Sequence, residues 1–489
     1  MDSMGIIVEQ AKQIEELTAT VEVLTAKAAA LTKTVDELQE IIRDLRRQLN
    51  QDSHNSSMPP SSDGFKKPHP QSLRKKSGKK PGGQKGHPGS HMEIPHDPDE
   101  FKQYLPEKCQ MCPHLTECLA AGTVFQCAEK RYEVNAVIQT KVTEHQVMKC
   151  SGCPWGEPCL AGHFPENIKA YVQYGDSVSV LAGLLSTYGA VGADRIHVLL
   201  GSLLGVRLST GTISSMIEKC ADKVGDTMNA IRKRLIQSGV VHFDETGIDV
   251  NGKTIWVHNA STQTLTYQTV SKKRGQVGME EGEILPNFRG TGVHDCWTPY
   301  WKYDAITHAV CNAHLLRELN GVEEYSPEHK WAGEFKTLLC TMKKVKDKAI
   351  HQGKQAITYY YRHKFDKEYD RILELADGEC PPPPDSAAKK KGKKKKGKER
   401  SLIERLRKLK ASVCLFVHDF RVPFDNNQAE RDVRNVKTKA KVSGCFRTEA
   451  GAQHYLDVMS FLSTGRKHGI NAFVALTAAF SGNANIVLQ

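Results

Sequence analysis

No run of about 18 apolar residues occurs anywhere in the 489-residue chain, which excludes a membrane-spanning helix as a sequence reading. The N-terminus has no apolar core of a secretory signal, so a cytoplasmic protein is expected. Acid is absent from residues 64–87, where eight Lys and Arg stand without a counter-charge; such a block attracts a polyanion, most commonly nucleic acid. Residues 6–50 contain neither Gly nor Pro, so nothing there breaks a helix.

That unbroken stretch is a heptad repeat. Leu17, Leu24, Leu31, Leu38 and Leu45 recur every seven residues, and Ile14, Val21, Ala28, Val35 and Ile42 precede them by three. β-Branched residues at a with Leu at d favour a parallel two-stranded coil, so residues 6–50 are expected to pair protomers into a homodimer or higher assembly. Residues 51–100 are rich in Pro, Gly, Ser and Lys and form no core of their own. Lys75, Lys76, Lys79, Lys80 and Lys85 of this arm are candidate DNA contacts. Eight further Lys crowd residues 389–398, consistent with either a polyanion contact or a solvated loop.

Cys109-x2-Cys112 and Cys150-x2-Cys153 lie 37 residues apart. Such paired turns present four thiolates to one Zn²⁺, the pattern of a zinc ribbon, with two strands expected between Tyr132 and Val147. Cys118, Cys127, Cys159, His114 and His163 are alternative ligands. The zinc-binding segment is set at 101–165. Residues 168–236 read as helical throughout, and Gly205 followed by Ser209-Thr210-Gly211-Thr212 suits either a helix-turn-helix or a plain helical hairpin.

Residues 238–320 change character. Strands are expected at 240–243, 254–258, 265–270 and 291–294, a short helix at 280–288, and residues 306–311 lead into a helix from Ala313. That order suits a ribonuclease-H-like core. Asp244 ends the first strand and Asp295 follows the fourth, so two carboxylates would lie side by side. In-line phosphodiester chemistry needs acids from separate segments to hold Mg²⁺ or Mn²⁺. Asp425 and Gln428 have capping-box spacing ahead of a helix carrying Glu430. The residues alone leave Glu430 open between a third acid and a surface side chain paired with Arg434. Arg431, Arg434 and Lys437 surround it as candidate DNA contacts.

The run Pro423-Phe424-Asp425-Asn426-Asn427-Gln428-Ala429-Glu430-Arg431 resembles the third-acid motif of insertion sequence 66 transposases. His242 to Thr246, Cys311 to Leu315, Lys441 to Arg447, Asn55 to Asp63 and Lys80 to Gly89 extend the likeness over nearly the whole chain. The resemblance implies a DDE triad of Asp244, Asp295 and Glu430, with His314 near the site. It also implies an α-helical insertion at 321–420, the remainder of the core at 421–445, and a C-terminal helical segment at 446–489. The expected protein is multidomain α+β: a bacterial, nucleoid-associated transposase that binds element ends and target DNA, with accessory element-encoded proteins as further partners. A nuclease without strand transfer, a non-enzymatic DNA-binding regulator and a structural coiled-coil zinc protein are the alternatives.

Overall fold

The computed structural model describes residues 3–52, 54–56, 99–100, 102, 104–122, 131, 138–148, 162–382 and 397–489. The chain forms two compact units. The first comprises Met1–Pro70, Gln146–Ser202 and Val206–Gln489, and the second Gln71–His145 with Leu203–Gly205.

In the first unit, helix α1 runs over Ser3–Leu49. Its heptad leucines are exposed, Leu17 at 64% and Leu31 at 69%, as expected of a seam with no partner within its own chain. The chain then folds back on itself. The Asn55 side chain donates to Asn50 O (3.1 Å), Glu324 Oε2 (2.7 Å) and Tyr325 Oη (2.9 Å). A Cβ on Gly321 would come within 2.4 Å of Asn55 O, so only glycine admits this approach.

In the second unit, α2 (Glu107–Gln110) carries Cys109, and Cys112 lies in the turn before α3 (Leu115–Ala120). Residues 138–148 form no strand, contrary to expectation for the second half of that pair. They are exposed throughout, and extended backbone without a ladder partner stays irregular. Residues 132–137, together with Cys150 and Cys153, lie outside the described residues.

Helices α4 (Asp176–Thr187), α5 (Ala193–Leu204) and α6 (Thr210–Ile236) follow. Residues 162–175 are not helical, so the helical stretch starts later than expected. Ser209 Oγ accepts from Thr212 N–H and caps α6, and Gly205 turns the chain at φ +68°.

Five strands then build one sheet: β1 (Val240–Val250), β2 (Lys253–Ser261), β3 (Thr266–Ser271), β4 (Thr291–His294) and β5 (Thr307–Val310). Their order is β3-β2-β1-β4-β5. The first three pair antiparallel, while β4 and β5 join β1 in parallel. β1 runs well beyond the expected 240–243. Asn251 (φ 50°) and Gly252 (φ 77°) form the tight turn that matches strand twist, which lets β1 and β2 pair down to the hairpin. The helix expected at 280–288 lies earlier, as α7 (Gln276–Glu281). Glu283 at φ 55° turns the chain, and Ile284, Leu285 and Phe288 enter the core from a loop.

Along β1, side chains alternate between two packed faces. Val241 and Phe243 join a cluster with Leu235 of α6 and Phe288. Ile248 and Val250 pack on Val436 and Tyr455, which come from the C-terminal helices α13 and α14 introduced below. Helix α8 (Asn312–Tyr325) follows β5. The insertion is helical, with α9 (Trp331–His351), α10 (Tyr359–Glu379), α11 (Lys398–Lys408) and α12 (Lys410–His418). Trp331, Phe335, Tyr369 and Ile403 fill its centre, and Trp331 Nε1–H donates to Glu399 (2.8 Å). The chain returns to the sheet through α13 (Asn427–Ser443), α14 (Glu449–Lys467) and α15 (Ala472–Phe480). Gly444 (φ 79°) ends α13. Among the described residues, no helix is long and apolar enough to cross a membrane.

Candidate active site

The site forms where the middle of β1, the end of β4 and the first turns of α8 and α13 meet. Asp244 is the fifth residue of the 11-residue β1, at mid-strand rather than at a strand end. β1 and β4 pair with Val240 opposite Thr291 and His242 opposite Val293. Continuing that register by two residues sets Asp244 opposite Asp295.

Adjacent acids on β1 face opposite ways. Glu245 points to the face of Tyr300, whose hydroxyl donates to it (2.6 Å). Arg274 donates to Glu245 Oε1 from Nε (3.2 Å) and a terminal nitrogen (3.0 Å). The guanidinium lies over the rings of Trp256 (4.9 Å) and Trp297 (4.2 Å). Burial, followed by the charge of Asp295, still lifts Glu245 to about 7. Asp244 shares the other face with His242. Burial raises its carboxyl well above the usual range, and the charges of Glu245, Asp295 and Glu430 add to this.

Asp295 is likewise raised, chiefly by burial, and its Oδ1 accepts from Trp297 N–H (2.9 Å). Its backbone carbonyl is bonded by His294 Nδ1. A carbonyl only accepts, so His294 carries hydrogen on Nδ1, and its Nε2 accepts from His308 Nδ1 (2.9 Å). Burial holds His294 neutral, down to about 3.

Glu430 lies in the first turn of α13. Ala429, Val433 and Val436 are its buried side. The capping box does not form: Asn426, not Asp425, is the N-cap, and no side chain caps the helix. Asn426 is engaged elsewhere. Its Oδ1 accepts from His242 Nδ1 (2.8 Å), its Nδ2 donates to Phe243 O (2.7 Å), and its backbone N–H donates to Cys311 Sγ (3.1 Å). One asparagine thus fixes α13 against both β1 and the start of α8.

Glu430 Oε1 lies 3.8 Å from His314 Nδ1 and 3.7 Å from Arg317. It is buried with no hydrogen-bond partner, as is His314 Nδ1. Burial raises Glu430, against the pull of Arg317, and holds His314 neutral at about 3. Among the described residues, the ligating side chains gathered within 4.8 Å of one another are Cys311, His314 and Glu430; Asp244 and Asp295 lie outside that tight group.

Asp432, two residues further on, is structural. Lys467 Nζ donates to its Oδ2 (2.9 Å) and also to Thr262 O, Leu265 O and Thr266 Oγ1. Of the candidate DNA contacts, Arg431 and Arg434 are exposed, whereas Lys437 is half-buried and donates to Gly247 O (2.8 Å). Lys439, on the same helix, is buried and donates to Val191 O (2.7 Å). Lys75, Lys76, Lys79, Lys80 and Lys85 lie outside the described residues.

Sequence reasoning did not find Glu245, Arg274, Tyr300 or the bridging role of Asn426. The Asn251-Gly252 pair was the available signal, since a two-residue hairpin turn there puts Asp244 and Glu245 inside the strand.

Residues 8–93 match a family of unknown function, and no curated protein matches the chain. Residues 177–454, more than half of the sequence, match the Transposase IS66 family, whose model carries the DDE label. The span of that match takes in every part of the site just described, and the chain belongs to the Transposase IS66 family.

Proposed function

We propose that this transposase cleaves DNA at the ends of its element and joins the freed 3′ end to target DNA, using Asp244, Asp295 and Glu430 on a ribonuclease-H-like sheet. The observation that carries the reading is the convergence of three acids from distant segments: strand register sets Asp244 opposite Asp295, and Asn426 ties the first turn of α13, which carries Glu430, to Phe243 O next to Asp244. The strand order, with three antiparallel strands and two parallel additions, suits that fold.

The donor set fits a divalent cation. All three carboxyls are pushed toward their neutral forms, and Glu430 Oε1 is buried without a partner, the condition a hard cation would relieve. Mg²⁺ or Mn²⁺ held by Asp244, Asp295 and Glu430 supplies activation of the attacking oxygen and stabilisation of the leaving one.

The chain's own groups set the geometry. Arg274 and Tyr300 hold Glu245 on the opposite face, so Asp244 alone is presented toward α13. Neutral His294 holds the backbone of Asp295. Asn426 fixes the first turn of α13, and thereby Glu430, against β1. Arg431 and Arg434 are available to phosphates. Pairing along α1 would hold two ends together, the Lys75 to Lys85 arm would follow the DNA backbone, and Cys109, Cys112, Cys150 and Cys153 would hold a structural Zn²⁺.

The test is cleavage and joining of labelled end DNA with Mg²⁺. Asp244→Asn, Asp295→Asn and Glu430→Gln should each lower both steps at least about a thousandfold, with DNA binding retained. Full activity in any of them would end the reading.

A further inference from the structure

The tightest group of ligating side chains in the described structure is not the trio of acids. Cys311 is the N-cap of α8, and His314 stands three positions on, so the two lie on one side of its first turn. Glu430 enters from the first turn of α13. The donor atoms of Cys311, His314 and Glu430 all lie within 4.8 Å of one another.

Three features set this group apart from ordinary packing. His314 Nδ1 and Glu430 Oε1 are both buried without a hydrogen bond, and their 3.8 Å separation is too long to be one. The sulfur accepts a backbone N–H, from Asn426 at 3.1 Å, which holds it in place, while burial pushes the thiol up to about 12. Two helix N-termini converge here, and their dipoles act against the burial that raises Cys311 and Glu430. Arg317, 3.7 Å from Glu430, balances the carboxylate when no cation is bound.

One sulfur, one imidazole nitrogen and one carboxylate oxygen suit Zn²⁺, whereas Mg²⁺ takes oxygen. Donors around a tetrahedral Zn²⁺ lie roughly 3.3–3.8 Å apart, so a small closure of this group meets the requirement. We infer that Cys311, His314 and Glu430 form a second metal site, selective for a thiophilic divalent ion such as Zn²⁺ and separate from the expected Cys-x2-Cys ribbon. It shares Glu430 with the three-acid reading, but its existence does not depend on that reading.

The experiment is a Co²⁺ titration of the full-length, metal-stripped protein, read by thiolate-to-cobalt charge-transfer absorption and by bound equivalents. The remaining cysteines are common to all variants, so differences report this site. Cys311→Ser should bind one equivalent fewer and lose part of the absorption. His314→Gln should keep sulfur ligation while weakening the site at least tenfold. Excess Mg²⁺ should not displace the cobalt signal. Equal stoichiometry and spectra in wild type, Cys311→Ser and His314→Gln, with circular dichroism unchanged, would overturn the site. His314→Gln keeps the test open if Cys311→Ser does not fold. Asp244→Asn separates the two proposals: a variant that still cleaves DNA sinks the three-acid reading while an intact cobalt signal leaves this one standing.

Discussion

Two acids on α13, two residues apart, live in opposite circumstances. Asp432 is met by Lys467 and Thr266 through Oδ2, with Arg466 4.0 Å from Oδ1, so it joins β3, α13 and α14 into one polar knot. Glu430 is more open, its side chain 27% exposed against 0% for Asp432; each keeps one buried oxygen without a hydrogen bond, and the neighbours of Glu430 are a neutral imidazole, a thiol and, at 3.7 Å, Arg317. Asp432 has a buried lysine donating to it directly. Glu430 has no hydrogen-bonded cation, since Arg317 stands 3.7 Å away, and its unsatisfied oxygen lies among other ligating side chains, which marks a place kept for something other than folding.

The contrast can be broken most severely by swapping the roles. Glu430→Gln should cost at least about a thousandfold in DNA cleavage, or about 4 kcal/mol of transition-state stabilisation, and leave the melting temperature level or higher. Asp432→Ala should do the reverse. It leaves Lys467 buried without its partner and should lower unfolding free energy by about 3–5 kcal/mol in denaturant titration. If Glu430→Gln unfolds the protein and Asp432→Ala does not, the distinction drawn here is wrong.

The pH dependence sharpens the same contrast. Glu245 is raised from 4.5 to about 7 in the folded protein. A raised carboxyl favours folding while protonated, so its contribution is present below about 4.5 and lost as pH climbs through about 7. The loss is roughly 3 kcal/mol for Glu245, and Asp244 acts in the same direction. Metal-free protein should therefore melt lower as the buffer moves from about pH 5 to about pH 8, and Mg²⁺ should restore part of the difference. Glu245→Gln should flatten the profile; an unaltered slope would mean that the burial of these acids is not what sets it.

The smallest effect expected is at the base of the long helix. Gly321→Ala or Asn55→Ala should each cost about 1–2 kcal/mol, the first by steric exclusion and the second through lost hydrogen bonds. The two losses together should fall short of their sum, because both act on one contact.

Much of this was legible in the sequence because the signals are local. The heptad, the insertion helices and the strand at 291–294 follow from periodicity and from Gly and Pro punctuation. Asp244 and Asp295 stand in strand contexts of their own, whereas Glu430 was singled out only through the resemblance to insertion sequence 66 transposases. What could not be read was long-range. Nothing near Arg274 says that it lies between Trp256 and Trp297, and nothing near Asn426 says that its amide spans to β1 rather than capping its own helix. The 280–288 segment misled because Ile284, Leu285 and Phe288 have helical spacing but enter the core from a loop turned at Glu283. Lys437 was a candidate DNA contact because a sequence does not show which lysine has a carbonyl waiting for it, here that of Gly247.

The Asn55 clasp has a mechanical side. α1 is a rod about 70 Å long, and α8 a stiffer, packed cylinder of about 20 Å. The clasp joins the foot of the first to the last turn of the second, while the opposite end of α8 carries Cys311 and His314. A torque on the rod, such as a second copy winding around it would exert, enters the core at one asparagine seated over one glycine. From there it has a straight axle to the metal-binding end.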